Sequence, residues 1–106
     1  MVKSKYTLHF TKVAINDLDE IYQYITEKLF AENAATDLLE RIENNIRQLM
    51  EFPNSGSRLV DEYLQLKGYR RIIVGSYIIF YIVDEQLKQV IIMRILYGKR
   101  KYEDLL

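Results

Sequence analysis

Apolar positions recur at two different periods along this chain. In the first half they fall at Ala14, Leu18, Ile21, Ile25 and Leu29, steps of three and four residues. That spacing makes one apolar stripe on a helix from about Lys12 to about Leu29, with Thr11 as its N-cap. Asp17, Asp19, Glu20, Glu27 and Lys28 occupy the other sides and read as solubilising charge. Ala35, Leu38, Ile42, Ile46 and Leu49 repeat the pattern from near Glu32, with Phe52 one turn beyond. The break between them, Phe30 to Asn33, is short enough to force an antiparallel helical hairpin. Pro53-Asn-Ser-Gly56 stops the second helix.

In the second half the period changes to two. Tyr69–Val74 and Tyr77–Val83 flank Gly75-Ser76, and a two-residue loop beginning with Gly suits a II′ hairpin. Val74 then pairs with Tyr77. One face of the hairpin carries Arg70, Ile72, Val74, Tyr77, Ile79 and Tyr81, the other Tyr69, Arg71, Ile73, Ile78, Phe80 and Ile82. Asp84-Glu85-Gln86 makes a polar turn and Leu87–Tyr97 a long further strand, ended by Gly98. Lys5–Phe10 alternates and reads as an N-terminal strand, and Tyr102–Leu106 as a short C-terminal helical turn. Residues 57–68 fit a short strand or an ordered loop.

The order β-α-α-loop-β-β-β predicts one α+β domain over residues 1–106. An N-terminal strand and an antiparallel two-helix hairpin pack on a three- to four-stranded antiparallel sheet. Both faces of the central hairpin are greasy, and two helical stripes cover only one. The face with Ile73, Ile78 and Phe80 therefore needs a partner, a dimer mate, or a cover from residues 57–68 or Leu105-Leu106.

Composition narrows the chemistry. There is no cysteine, so thiol and zinc-thiolate chemistry are excluded; the one histidine, His9, lies mid-strand with no nucleophile motif near it and reads as structural, and no metal or cofactor is expected. Four glycines form no phosphate loop. No apolar run approaches the roughly 20 residues of a membrane span, the N-terminus lacks a signal-peptide core, and a cytoplasmic protein is expected. Net charge is zero but uneven. Residues 1–62 hold 11 acids and 7 bases (−4), and residues 63–106 hold 4 acids and 8 bases (+4). A generic polyanion binder would be basic throughout.

The remaining candidates are Arg70, Arg71, Arg94 and Lys99-Arg100-Lys101, interleaved with Tyr69, Tyr81, Tyr97 and Tyr102. A guanidinium in an apolar strand must reach solvent, an acid such as Glu62, or a partner's carboxylate. The alternative is a cationic groove for phosphate. With tyrosine nearby, such a groove can also cleave RNA without histidine, by stabilising attack of the 2′-oxygen on phosphorus.

Several segments taken together resemble a known family along nearly the whole chain. They are Ala14-x-x-Asp17-Leu18-x-x-Ile21-x-x-Tyr24-Ile25, Ala34-Ala35, Phe52-Pro53-x-x-Gly56, Gly68-Tyr69-Arg70-Arg71, Tyr77-x-x-x-Tyr81-x-Val83 and Ile92-x-Arg94-Ile95-Leu96-Tyr97-Gly98. Their order and spacing are similar to the RelE/ParE superfamily, the toxins of type II toxin–antitoxin (plasmid stabilisation) modules. The paired long helices, Gly-Tyr-Arg-Arg and Ile92-x-Arg94-Ile95-Leu96 look more like the ParE branch.

That resemblance implies a growth-inhibiting toxin that poisons DNA gyrase without chemistry of its own and is neutralised by a cognate antitoxin. The alternative it implies is a RelE-like endoribonuclease cutting mRNA on the ribosome, with Arg70, Arg71, Arg100 and Tyr102 as catalytic candidates. Against that alternative, the central-strand arginine of the RNA-cutting members falls here at Ile78, and their C-terminal tyrosine at Leu106. The resemblance also offers an antitoxin as cover for the second sheet face, with Arg71, Ile73, Ile78, Phe80 and Arg94 as its contacts, by strand addition or helix in groove.

Overall fold

The computed structural model describes residues 6–106. Strand β1 (Thr7–Phe10) leads into helix α1 (Lys12–Gln23), which widens into a π-helical turn at Tyr24–Lys28 before helix α2 (Glu32–Gln48) returns antiparallel. After the Pro53–Gly56 loop come β2 (Ser57–Arg58), α3 (Glu62–Leu66), β3 (Tyr69–Val74), β4 (Tyr77–Asp84), β5 (Gln89–Tyr97) and a 3₁₀ turn (Tyr102–Asp104). Lys5, the expected first residue of the N-terminal strand, lies outside the described residues.

The sheet has five strands in the order β1-β5-β4-β3-β2. It is mixed, which corrects the expectation of a three- to four-stranded antiparallel sheet. β1 lies parallel to β5, Thr7 opposite Gln89 and Phe10 opposite Ile92, and the two residues of β2 add a fifth strand beside β3. The helical hairpin carries the chain from β1 back across the sheet, so a parallel neighbour becomes possible at that edge.

The β3–β4 register is the one the hairpin signal predicts, from Val74 opposite Tyr77 to Tyr69 opposite Ile82. Gly75 has φ +60° and Ser76 lies outside the left-handed region, as a II′ turn requires. Its two faces consequently enter two cores. Val74, Ile79 and Tyr81 join Ala14, Ile21, Ile25, Ala35, Ile42 and Ile46 from the helices. Each fully buried aliphatic such as Ile42 or Ile46 contributes roughly 1.5–3 kcal/mol of burial.

Tyr69, Ile78 and Phe80 enter the second core with Leu59, Leu64 and Leu96, roofed by Met93, Tyr102, Leu105 and Leu106. The second face is thus closed by the chain's own segments, residues 59–66 and the C-terminal turn. Of the covers that the sequence left open for this face, the structure shows residues 57–68 and Leu105-Leu106 in place. Phe80 has no exposed surface, Ile78 is 7% exposed, and only Ile73 stands clear at 64%.

The π turn changes one helical detail. Its wider winding rotates the chain after Ile25 off the 3.6-residue stripe, so Leu29 is exposed instead of buried.

Candidate functional site

β1 ends at Phe10, four residues before the end of β5's apolar run, and would leave β5 with an unpaired edge. Side chains of α1 take over there. The Thr11 amide donates to the Ile92 carbonyl (3.1 Å) and its hydroxyl to the Met93 carbonyl (3.0 Å), while the same oxygen accepts from the Ala14 amide (3.0 Å) as the helix N-cap. One helical turn on, Asp17 Oδ2 accepts from the Ile95 amide at 3.0 Å.

Asp17 is only 4% exposed and is held by Arg94 in a two-pronged pair, Nε to Oδ2 at 2.8 Å and Nη2 to Oδ1 at 2.9 Å. Its hydrogen bond to Asp17 raises the guanidinium pKa still further, so Arg94 is charged at any working pH. Nη1 also donates to the Leu105 carbonyl at 3.3 Å. Arg94 therefore ties α1, β5 and the C-terminal turn together. Its partner is Asp17, neither Glu62 nor an outside carboxylate. A bulge in β5 opposite Phe80 and Tyr81 accompanies this placement.

Arg70 has a comparable structural task. It donates to the carbonyls of Gly56 (2.7 Å) and Asn54 (3.3 Å). Beside it the Tyr81 hydroxyl accepts from the Gly56 amide (2.9 Å) and donates to the Pro53 carbonyl (2.8 Å). Gly56 must be glycine, since a Cβ there would lie 2.5 Å from the Tyr81 hydroxyl and 2.7 Å from the Arg71 carbonyl. Phe52-Pro53-x-x-Gly56, Tyr69-Arg70-Arg71 and Tyr77-x-x-x-Tyr81, distant in sequence, thus meet in one loop clamp.

The four catalytic candidates line no common depression, although Arg71 stands opposite Phe80 across β3–β4, on the face where Tyr102 packs. Arg70 faces a shallow depression with Arg58 and Glu85, Arg71 one with Asn45 and Ile73, and Arg100 the groove described next. Tyr102 stacks on Phe80 at 4.9 Å between ring centres. Of the expected antitoxin contacts, Arg71 and Ile73 are accessible, Ile78 and Phe80 are internal, and Arg94 is engaged with Asp17. Among the described residues no three His, Asp or Glu side chains gather as a metal site, and no helix is long and apolar enough to cross a membrane.

A depression of about 780 Å³ opens where the helical hairpin overhangs the turn of β3–β4 and the end of β5. Ile21, Ile25 and Leu38 form its helical wall and Tyr77, Leu96 and Tyr97 its sheet wall. Tyr77 and Tyr97 meet edge to face at 5.8 Å, and burial, with the nearby Tyr24 and Tyr97 phenols adding to it, raises the Tyr77 pKa. Arg41 lies along the hairpin turn, its guanidinium 3.6 Å from where a Gly75 side chain would begin, and Arg100 reaches the same space. At the rim, Leu29 and Phe30 are 55% and 90% exposed, and Phe30 holds the left-handed φ of +51°. The sequence reading passed over Arg41 and Phe30. The signal for Phe30 was a large aromatic in a tight helical connection, where a polar residue or glycine costs less.

A family profile described as "ParE toxin of type II toxin-antitoxin system, parDE" matches residues 8–102. No curated protein sequence matches the chain. Among solved structures it is similar to a chain of the chromosomal ParDE toxin–antitoxin system from P. aeruginosa. The TM-score is 0.73 and the identity 22%, over 92% of this chain and 100% of that one. It is also similar to a chain of the RelBE2 toxin–antitoxin complex from Mycobacterium tuberculosis, with TM-score 0.64 and 24% identity over 88% and 98%. The RelB–RelE complex from Methanococcus jannaschii shares the fold at TM-score 0.50 and 20% identity over 92% and 99%. The chain belongs to the ParE toxin family of type II toxin–antitoxin systems.

Proposed function

We propose that this chain arrests growth by poisoning DNA gyrase, without a chemical step of its own, and is held inactive by a cognate antitoxin. The dispersal of the RNA-cleavage candidates carries this reading. Arg70 is committed to the Pro53–Gly56 loop, Tyr102 is packed on Phe80, and Ile78, where RNA-cutting relatives are expected to place arginine, is buried. Phosphate cleavage needs its charged groups converging on one reacting centre. The antitoxin arm is supported by the similar solved structures, which come from ParDE and RelBE complexes. Ile73 stays open to such a partner, because β2 pairs only with Arg70 and Arg71 and the edge of β3 runs on past it.

The direct test adds purified chain to gyrase and relaxed plasmid. Accumulation of cleaved complex or loss of supercoiling supports the proposal; full supercoiling at stoichiometric excess overturns it. Arg100 is exposed and favours one second reading, ribosome-dependent mRNA cleavage. That reading requires codon-linked cuts that appear only with ribosomes and vanish in Arg100→Ala.

A further inference from the structure

We infer that β1 is the seam of a homodimer, its outer edge pairing antiparallel with β1 of a second copy about His9. The inference goes beyond the proposed function and does not depend on it. β1 is an edge strand, paired on one side only with β5. The Thr7 amide donates to the Lys88 carbonyl at 2.9 Å and the Thr11 amide to the Ile92 carbonyl at 3.1 Å. Backbone groups alternate along a strand, so those of Leu8 and Phe10 point away from β5. Among the described residues nothing pairs with them on that side.

The two edges of the sheet differ. β2 is only two residues long and carries the exposed Arg58, both of which blunt an edge. β1 is four residues long and has no acid, lysine, proline or bulge to turn another strand away. Beside it lies an apolar depression of about 630 Å³, lined by Leu8 and Phe10 of the strand and by Leu18, Tyr22, Leu39 and Ile42 of the helices. Phe10 is 37% exposed there. An open ladder and an apolar surface thus adjoin, which suits an incoming strand.

The edge's own sequence selects a second copy as the occupant. Leu8-His9-Phe10 keeps the order apolar, polar, apolar when read in either direction. Laid antiparallel on itself about His9, it sets Leu8 of each copy opposite Phe10 of the other. A slip of one residue would set Leu8 opposite His9 and Phe10 opposite Thr7, apolar against polar. The centred register also engages every outward backbone group of Leu8 and Phe10, as two pairs of reciprocal hydrogen bonds. Charge does not oppose the approach: at the rim of the depression Glu43 is paired with Arg47, which leaves Asp19. The arrangement closes on itself as a two-fold interface and joins two five-stranded sheets into one, with β2 outermost at both ends.

Such a seam is small, in the range where complexes are weak, so the dimer should populate above roughly 10 μM. Sedimentation of the purified full-length chain should show its mass climbing towards the dimer between roughly 10 and 500 μM. Phe10→Lys puts a cation in the seam and should weaken association about 10-fold or more. The chain has no cysteine, so a single introduced one reports contact without background. In the centred register residue 9 faces its own copy at about 4.5 Å between Cα atoms, within reach of a disulfide. Under mild oxidation His9→Cys should therefore crosslink about 10-fold faster than Leu66→Cys, an exposed control on α3.

A wild type that stays monomeric at roughly 500 μM overturns the inference. So does a dimer in which His9→Cys crosslinks no faster than Leu66→Cys, because another surface then holds it together. If Phe10→Lys melts well below the wild type, the crosslinking contrast alone decides.

Discussion

On one side of the sheet Ile79 and Tyr81 lie under α1 and α2, twelve and seventeen residues long; on the other, Ile78 and Phe80 lie under the five residues of α3 and a three-residue turn. Long amphipathic helices satisfy their own backbone and bring a whole stripe of side chains to the sheet. Short segments cannot hold a shape alone and depend on individual anchors. Here those anchors are visible. Asp61 caps α3 through the Leu64 amide at 3.0 Å, Gln65 donates to the Leu59 carbonyl at 3.1 Å, and Arg94 donates to the Leu105 carbonyl. A cover made of long elements tolerates loss of one contact, whereas a cover made of short ones fails contact by contact.

Arg94 is where the two sides meet, so removing it should have the largest effect. Arg94→Ala leaves the Asp17 carboxylate buried without its counter-charge, a change worth about 3–5 kcal/mol, and frees the Leu105 carbonyl as well. The denaturation midpoint should fall accordingly. If the loss is equally large in a chain truncated after Lys101, Arg94 serves the helix side alone.

Tyr81→Phe comes next. It strands the buried Gly56 amide and the Pro53 carbonyl, a cost of about 1–3 kcal/mol, and it loosens the loop that precedes the second cover. A pH effect accompanies it. Burial raises the pKa of Tyr81, and also those of Tyr69 and Tyr77, above the ordinary value of 10.0. A phenol that keeps its proton longer in the folded chain stabilises the fold fully below the unfolded value. That contribution is lost as pH climbs through the folded value. The wild type should therefore hold its stability up to pH 10.0 and lose it above. Tyr81→Phe should lose less over the same range.

The same contrast explains what could be read from the chain before folding. The helical hairpin and the β3–β4 register were legible because each is a periodic signal closed by a local stop: Thr11, Pro53, or Gly75-Ser76. α3 is too short to display a period, and Leu105 and Leu106 become a roof only through Arg94 and Phe80, residues far from them in sequence. Asp17 was misread as surface charge although it lies on the buried stripe, three residues after Ala14 and four before Ile21. The period placed it inside; what it pairs with, Arg94, lies 77 residues away and follows no local rule. Parallel pairing of β1 with β5 was hidden for the same reason. Among the site candidates, residue type alone made Arg70 and Arg94 look catalytic or partner-seeking, and only the tertiary structure reveals that both are spent on internal bonds.

Leu105→Ala probes the second cover by itself. Half-buried, its side chain should contribute roughly 1 kcal/mol. The more telling measurement is hydrogen exchange: β3 and β4 amides beneath the turn should exchange faster while α2 is unchanged. Equal acceleration in α2 would mean that the two covers open as one unit.

The smallest expected effect lies at the far end of the helix side, and its sign is opposite. Phe30 occupies the left-handed region at the tip of the hairpin, a conformation that costs an ordinary residue about 1–2 kcal/mol, and its ring is 90% exposed and returns little packing energy. Phe30→Gly removes that strain but loosens the unfolded chain, offsetting roughly 0.5–1 kcal/mol of the gain. The net should be a rise in stability of up to about 1 kcal/mol. A clear fall would mean that the ring packs on the helices after all. A rise accompanied by weaker antitoxin binding would mean that the strained aromatic is kept at the groove's rim for its partner, at the expense of the cover it belongs to.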